Sequence, residues 1–270
     1  MSEHSLNFYH AAIKNACPQT IAMSLPEIQG VMAKVFLAEQ PDASKIVCKF
    51  NPATIIKRNK HVSELMHECD IPMPVTTTHA YLDTYFESYR YIPDKTLYEY
   101  MRDGVSDEFI TNAFKQAIDV QHQISQITPD EVATMPGRTF ADVTGIQMSE
   151  KVRPILAMSY KLIATIMAQG GKMRLLHSDL QPKNILVTPN GNLSHVIDIE
   201  SVVLCNDSFA MLRMLYNYPL NNTDDIMDYY EQTTGRTLNR RLIHAGLKIL
   251  PMLYEPKKRL DNIFTTTHGR

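Results

Sequence analysis

Apolar and polar residues alternate over several short stretches near the start of the chain, which is the pattern of half-buried strands. Strands are predicted at residues 20–24, 31–39 and 45–50. Residues 76–91 also alternate and are rich in Thr and Tyr, which predicts two further strands. Residues 53–69 instead repeat their apolar positions every three or four residues, as an amphipathic helix does. The N-terminal part is therefore predicted to be a sheet with one helix.

Helical spacing dominates the rest of the chain. Residues 107–127 predict a long amphipathic helix with Ser106 as its N-cap. Residues 149–169 predict a second helix, which the following glycine pair ends, and residues 223–254 are also predicted to be helical. An α+β protein follows, in which the sheet comes first and most helices come later.

Residues 175–200 interrupt the helical pattern and carry the most distinctive polar positions. Two apolar runs flank a polar turn that contains Asp179 and Asn184. A Pro-Asn-Gly-Asn sequence follows and predicts a hairpin, because Asn-Gly pairs favour tight reversals between apolar strands. A third apolar run then ends at Asp198, with Glu200 two residues later.

The oxygen-bearing side chains of this stretch suit phosphoryl transfer. Asp179 can accept the proton of an acceptor hydroxyl, while Asn184 and Asp198 offer an amide oxygen and a carboxylate to one hard cation. Mg²⁺ needs few protein oxygens because it keeps phosphate and water ligands. The ordered set is much more specific than any part of it, since H-x-D alone also occurs in ordinary loops with Asx turns.

The string from His177 to Asp198 resembles the kinase signature H-x-D-x-x-x-x-N followed by an apolar hairpin and Asp. Protein kinases continue with Phe-Gly and later Ala-Pro-Glu, and they carry Lys two residues after the base. Here Ile199 and Glu200 follow the Asp, and Gln181 takes the Lys position. The chain is more similar to the aminoglycoside phosphotransferase and choline kinase-like family, over residues 20 to 211 or so.

This resemblance implies a two-lobed protein kinase-like fold. A small antiparallel-sheet N-lobe would span residues 1–92 and a mainly helical C-lobe residues 93–270. It also implies that ATP and Mg²⁺ lie between the lobes and that a hydroxyl of a small molecule is phosphorylated. Sugars, amino alcohols, antibiotics and nucleosides all remain open as acceptors.

The resemblance assigns the nucleotide contacts as well. Lys49 takes the place of the strand lysine that holds the α- and β-phosphates. Arg90, Tyr91 and Ile92 take the place of the linker whose backbone reads the adenine edge. Gly30 is the only glycine in the loop between the first two predicted strands, where backbone amides can approach phosphate.

Several positions qualify the match. Glu200 either helps Asp198 to hold the metal or anchors the following segment; the family often has a carboxylate at this position, which implies the supporting role at the metal. Asn59 stands where a helix glutamate usually pairs with the strand lysine; Glu64 is a candidate substitute, although a solvent-facing glutamate is the simpler interpretation. Ala210 replaces the aspartate that buttresses the catalytic loop, so Asp207 either takes over that role or caps the next helix.

Composition narrows the remaining choices. The chain has 270 residues and a formal net charge of −2, which does not favour nucleic-acid binding. Four scattered cysteines without C-x-x-C spacing predict reduced thiols in a cytoplasmic protein. No signal-peptide layout and no apolar run near the ~20 residues that cross a bilayer are present, so no membrane association is expected. The oligomeric state is not encoded in any recognisable pattern.

Three alternatives stay open. A protein kinase would share the catalytic motif, but the sequence lacks the activation loop and Ala-Pro-Glu. A nucleotide-binding pseudokinase is favoured by Asn59, by Ala210 and by Asp94, which stands at the usual linker glycine, and is opposed by the intact catalytic motif. An unrelated globular protein that carries the loop by chance is disfavoured by the length of the ordered pattern.

Overall fold

The computed structural model describes residues 5–26, 33–127, 172–216 and 223–254, the last six of them by their backbone. Gly30, the predicted helix at residues 149–169 and the tail after residue 254 lie outside these ranges. Within them, the predicted strands and helices occur, with boundaries that shift by a few residues.

A five-stranded antiparallel sheet forms the centre of the N-terminal lobe. Its strands, in the spatial order β1-β2-β3-β5-β4, are β1 (Ala22–Ser24), β2 (Lys34–Glu39), β3 (Lys45–Phe50), β4 (Thr77–Tyr81) and β5 (Thr84–Arg90). The register of β3 and β5 sets Lys49 directly opposite Glu87. Directly opposed residues of an antiparallel pair lie on the same face of the sheet, so these two side chains are neighbours.

Two helices flank this sheet, where the sequence predicted one. α1 (Leu6–Ala16) lays Tyr9 and Ile13 against Phe36, Phe50 and Phe86 on one face. α2 (Ala53–Glu68), the predicted helix, contacts β4 and β5. Since side chains alternate along a strand, the face that carries Lys49 is opposite the face that α1 covers.

The described part of the C-terminal lobe combines helices with two small antiparallel sheets. Its helices are α3 (Leu97–Arg102), α4 (Asp107–Ile124), α5 (Asp207–Leu215), α6 (Thr223–Thr234) and α7 (Arg240–Tyr254). One sheet contains β6 (Lys95–Thr96), β8 (Ile185–Val187) and β9 (Leu193–Val196), and the other contains β7 (Arg174–His177) and β10 (Val202–Cys205). None of the described helices is both long enough and apolar enough to cross a bilayer.

Local signals behave as predicted in this lobe. Ser106 caps α4, because its side-chain oxygen accepts the N–H of Phe109 at 3.2 Å. The predicted hairpin joins β8 to β9, and Gly191 in its turn has a φ of +84°, which glycine adopts without steric cost. The α+β, two-lobed architecture is therefore confirmed.

One apolar cluster connects α2 to the C-terminal lobe. Val62, Leu65 and Met66 of α2 are buried together with Phe114 of α4 and Leu176 of β7. This packing places the polar residues one turn earlier on α2 between the sheet and the segment after β9: Asn59 bonds to Glu87 on β5, and Arg58 bonds to the backbone of Glu200.

Candidate active site

Buried hydrogen bonds hold the loop that follows β7. The Nε2 of His177 lies 3.0 Å from the carbonyl oxygen of Ile197, and its Nδ1 accepts the N–H of Asp179 at 3.3 Å. Burial lowers the pKa of His177, so the neutral ring donates through Nε2. The side chain of Gln121, on α4, bonds both the N–H and the C=O of His177. His177 thus fixes the backbone conformation of the loop.

Ser178, between His177 and Asp179, makes two hydrogen bonds to a later segment. Its backbone N–H and its hydroxyl both donate to the carbonyl oxygen of Ser201, at 2.8 and 2.9 Å. The hydroxyl therefore ties the catalytic loop to the segment that follows Asp198.

The carboxylate of Asp179 is held by three side chains. Arg213, on α5, forms an ion pair with Oδ1. Gln181 donates its Nε2 to Oδ2 at 2.9 Å, and the Nδ2 of Asn184 lies 3.4 Å from the same oxygen. An ionised carboxylate has about four acceptor sites, so one remains for an acceptor hydroxyl.

Asn184 and Asp198 lie on adjoining backbone segments. The N–H of Ile197 donates to the carbonyl oxygen of Asn184 at 2.9 Å, immediately before Asp198. The amide nitrogen of Asn184 donates to the carbonyl oxygen of Asp179 at 2.8 Å, while its Oδ1 accepts no hydrogen bond from a described residue. Asp198 has a left-handed backbone (φ 74°, ψ 51°), a conformation that Asp tolerates better than most residues.

Lys49 reaches from β3 to the residues that follow β9. Its ammonium lies 2.5 Å from Oδ1 of Asp198 and also forms an ion pair with Oε1 of Glu200. The candidate pairing with Glu64 is wrong, because Glu64 is more than half exposed and lies 3.8 Å from Lys60. The simpler, solvent-facing interpretation of Glu64 is confirmed.

The carboxylates around Lys49 outnumber the nearby cations. Three carboxylates, those of Glu87, Asp198 and Glu200, lie near Lys49. The other nearby cation is Arg58, which donates its Nη1 to the backbone carbonyl of Glu200 at 3.3 Å. Burial and then Asp198 raise the pKa of Glu200 to about 7, and burial and then Glu200 raise that of Glu87 to about 8. Burial is the larger cause of both shifts, and the neighbouring carboxylates add to it.

Asp198 and Lys49 are affected in the opposite sense. Burial alone would raise the pKa of Asp198, but the attraction of Lys49 outweighs it and lowers that pKa to about 2. Burial alone would lower the pKa of Lys49, but Asp198 and Glu200 outweigh it and raise that pKa. The ion pair between the lobes is therefore fully charged over the physiological range of pH.

This donor set fits a magnesium ion. No group of three or more His, Cys, Asp or Glu side chains in the described ranges forms a complete metal site. Mg²⁺ does not need one, because one or two carboxylates with phosphate and water complete its shell. Asn184 Oδ1 and the carboxylates of Asp198 and Glu200 supply hard oxygens of the kind that this ion prefers.

The linker position agrees only in part with the sequence expectation. β5 ends at Arg90, and the N–H of Tyr91 donates to the carbonyl oxygen of Lys45 at 2.8 Å. This bond extends the pairing of β3 with β5 and occupies one of the polar groups assigned to adenine. Adenine recognition by residues 90–92 would depend on their other backbone groups.

The region after Glu200 departs from both alternatives proposed for Asp207. Asn206 caps α5, since its Oδ1 accepts the N–H of Phe209 at 2.8 Å. Asp207 is buried among three partners: it accepts from the hydroxyl of Tyr230 and from Nη1 of Arg236 at 3.0 Å, and Nε of Arg174 lies 3.5 Å away. It therefore holds α5 and α6 together and is neither the cap nor a partner of the catalytic loop.

Sequence reasoning missed Glu87 and Arg213. Glu87 was detectable only as a charged residue inside the aromatic strand TYFESYR, and Arg213 only as a basic residue one turn after Ala210. Lys183, beside Asn184, lies over the ring of Tyr98 at 5.0 Å from its centroid.

Comparisons with known proteins match at the level of structure. No family profile and no curated protein sequence matches the chain. The GDP complex of wild-type aminoglycoside 2'-phosphotransferase IIIa matches with a TM-score of 0.68 and 14% identity, over 95% of this chain and 93% of that one. The chain has the protein kinase-like fold of the antibiotic phosphotransferases.

Two further structures share the fold. Amicoumacin kinase in complex with AMP-PNP, Ca²⁺ and its antibiotic matches with a TM-score of 0.63 and 12% identity, over 92% of this chain and 87% of that one. The macrolide 2'-phosphotransferase of Brachybacterium faecium matches with a TM-score of 0.56 and 14% identity, over 86% and 83%. At identities this low the similarity establishes the fold alone, so the substrate has to be inferred from the residues of this chain.

Proposed function

We propose that the protein is an ATP- and Mg²⁺-dependent phosphotransferase that phosphorylates a hydroxyl group of a small molecule. The observation that carries the proposal is the meeting of Lys49 with Asp198 and Glu200, beside the loop of Asp179 and Asn184. These are the groups that phosphoryl transfer needs: a phosphate clamp, oxygen ligands for a cation and a base.

The nucleotide and metal are held by residues of both lobes. Asn184 Oδ1 and the carboxylates of Asp198 and Glu200 would hold Mg²⁺, which would supply positive charge to neutralise the charge that develops on the transferred phosphoryl group. Lys49 would exchange its carboxylate partners for the α- and β-phosphates. Gly30 and the backbone of residues 90–92 would complete the nucleotide site, between an N-lobe of residues 1–92 and a C-lobe of residues 93–270.

Asp179 would orient the acceptor hydroxyl and accept its proton. Gln181 and Arg213 hold the carboxylate in one orientation, so the hydroxyl oxygen can be aligned with the transferred phosphorus. In a loose transition state little covalent work falls to the protein, and positioning with charge neutralisation provides most of the acceleration.

The structural neighbours support a choice of acceptors to test first. The three matched proteins are named for aminoglycoside, amicoumacin and macrolide antibiotics, so antibiotics and related sugar or amino-alcohol compounds are the first acceptors to test. Asp224, Asp225 and Asp228 could attract a polycation, but Asp224 and Asp228 lie 3.9 and 2.5 Å from Arg240, which offsets part of their charge. The site is proposed to act on a cytoplasmic small molecule, without nucleic acid or membrane.

The test is a panel of hydroxylated metabolites and antibiotics assayed for ADP or GDP release with ATP or GTP and Mg²⁺. Asp179→Ala should cut turnover by orders of magnitude and leave nucleotide binding largely intact, whereas Asp198→Ala should abolish Mg²⁺-dependent nucleotide binding. Transfer of radiolabel to protein would instead indicate a protein kinase. Normal rates in both variants would show that the residue roles are assigned wrongly.

A further inference from the structure

A buried carboxylate outside the catalytic motif faces Lys49. Glu87, on β5, is 1% exposed and lies directly opposite Lys49 in the pairing of β3 with β5. Both of its carboxylate oxygens lie 3.1 Å from Nδ2 of Asn59, on α2. Asn59 is fully buried and stands where the helix glutamate was expected.

In this chain the helix position therefore carries an amide, and the buried carboxylate beside it comes from β5. A buried carboxylate costs several kcal/mol unless it is paired. The amide of Asn59 turns its nitrogen to Glu87, and its Oδ1 has no hydrogen-bond partner within the described ranges. A glutamate maintained at this cost beside Lys49 points to a role in the nucleotide site.

The present partners of Lys49 are the groups that the proposed metal would need. Lys49 pairs with Asp198 and Glu200, both assigned above to Mg²⁺. If the ion binds these two carboxylates, the ammonium of Lys49 loses its counter-charge although the Lys49 side chain is only 10% exposed. Glu87 is the buried carboxylate across the strand pair, where Cβ atoms of opposed residues lie about 4.5–5.5 Å apart.

We propose that Glu87 is the positioning residue that holds Lys49 against the nucleotide phosphates when Mg²⁺ occupies Asp198 and Glu200, and that Asn59 fixes the carboxylate of Glu87 for this purpose. The inference rests on the proposed function, and it relocates the counter-charge of the lysine from α2 to β5. The lysine then alternates between two sets of carboxylates according to whether the metal site is filled.

The decisive measurement compares Glu87→Gln with the wild type by calorimetric titration of ATP in Mg²⁺ and by thermal unfolding without metal. Gln keeps the shape and can still bond the amide of Asn59, so only the charge is lost. Binding of ATP with Mg²⁺ should weaken by roughly tenfold, the loss of one charge-assisted contact. The metal-free protein should be at least as stable as the wild type, because Gln removes the cost of protonating or burying a carboxylate at this position.

A rescue variant separates the proposed role from simple anchoring of α2. Adding Asn59→Glu to Glu87→Gln returns one carboxylate to the same pair from the helix side, and should restore most of the lost affinity for ATP with Mg²⁺. Glu64→Gln, on the exposed side of α2, is the matched control and should bind like the wild type.

Each outcome bears on the proposal. Wild-type affinity in Glu87→Gln would overturn this inference alone and leave the proposed function intact. A Glu87→Gln protein with lowered metal-free stability and no rescue would show that Glu87 only anchors α2. A wild-type protein that binds no nucleotide with Mg²⁺ would overturn the proposed function and this inference together.

Discussion

The guanidinium of Arg213 lies against the carboxylate of Asp179, so α5 supplies an ion pair to the proposed base. The side chains of both residues are 21% exposed, and Gln181 holds the second carboxylate oxygen. An ion pair in this environment restricts the rotation of the carboxylate, and Arg does so better than Lys because its planar group can make two parallel contacts. Arg213 therefore connects the orientation of the base to the helical part of the lobe.

Replacement of Arg213 should lower kcat and leave the KM for nucleotide within about twofold. We expect Arg213→Met to cost roughly a hundredfold in kcat, since small misplacements of a catalytic group have effects of that order, and Arg213→Lys to cost less. Steady-state kinetics with the acceptor found in the panel measures both. Arg102→Met, at an exposed ion pair, is the control. A change confined to the nucleotide KM would assign Arg213 to nucleotide binding instead.

Lys49 should stabilise the metal-free protein through its buried carboxylate partners. Lys49→Met leaves Asp198 and Glu200 without their ammonium, and the loss of one partner of a buried pair costs about 3 kcal/mol in the free energy of unfolding. Mg²⁺ should then raise the unfolding temperature of the variant more than that of the wild type, because the ion no longer competes with Lys49 for the carboxylates. Lys45→Met, exposed on the same strand, is the control.

An equal rise in the unfolding temperature of the wild type and of Lys49→Met on addition of Mg²⁺ would contradict this account. It would mean that the ion, if it binds, does so away from the carboxylates that Lys49 contacts.

The stability of the metal-free protein should fall between about pH 5 and pH 8 because of Glu87. Burial and then Glu200 raise its pKa in the folded protein to about 8, whereas an unfolded Glu titrates near pH 4.3. In this range the folded protein binds more protons than the unfolded one, so the free energy of unfolding decreases as pH rises. Its contribution is complete below the unfolded pKa and is lost above about pH 8.

Urea unfolding at stepped pH in a chelator measures this slope. Glu87→Gln should flatten it, while Glu64→Gln should keep the slope of the wild type. The groups that face Glu87 are Lys49, Asn59, Asp198 and Glu200. Asp198 and Glu200 also contribute to the pH dependence of every variant, so the test is the difference in slope between Glu87→Gln and Glu64→Gln. Parallel slopes in all three proteins would show that Glu87 is ionised throughout.

Asp207 should matter for stability and not for chemistry. It is 7% exposed and accepts hydrogen bonds from Tyr230 and Arg236, so Asp207→Ala leaves a buried guanidinium without its carboxylate. We expect a loss of about 3–5 kcal/mol in the free energy of unfolding. Activity per folded molecule, measured well below the unfolding temperature, should match the wild type. A large fall in kcat would place Asp207 behind the catalytic loop after all.

The parts of the site that lie on one hairpin were predictable. Asp179, Asn184 and Asp198 are separated by short turns, so local chemistry determines how near they lie to one another. Glu87 and Arg213 were not, because their positions depend on the register of two strands and on the docking of a helix. Both are set by contacts between segments far apart in sequence, which periodicity does not contain.

The same distinction applies to the fold. The five strands of the N-terminal sheet and α4 followed from alternation and helical spacing. α1 was missed although Tyr9, Ala12 and Ile13 have helical spacing, because a short terminal helix is stable only when a sheet face receives it. The sequence offered two adjacent residues that can cap α5, Asn206 and Asp207, and the prediction considered only Asp207.

The burial of Val62, Leu65 and Met66 against the larger lobe has a regulatory consequence. Protein kinases are switched by displacing the helix that corresponds to α2. Here withdrawal of that helix would expose three large apolar side chains, at a cost of roughly 5–9 kcal/mol. We therefore expect α2 to stay docked, so that the proposed active site is permanently assembled and its turnover depends on the supply of substrates and the amount of protein.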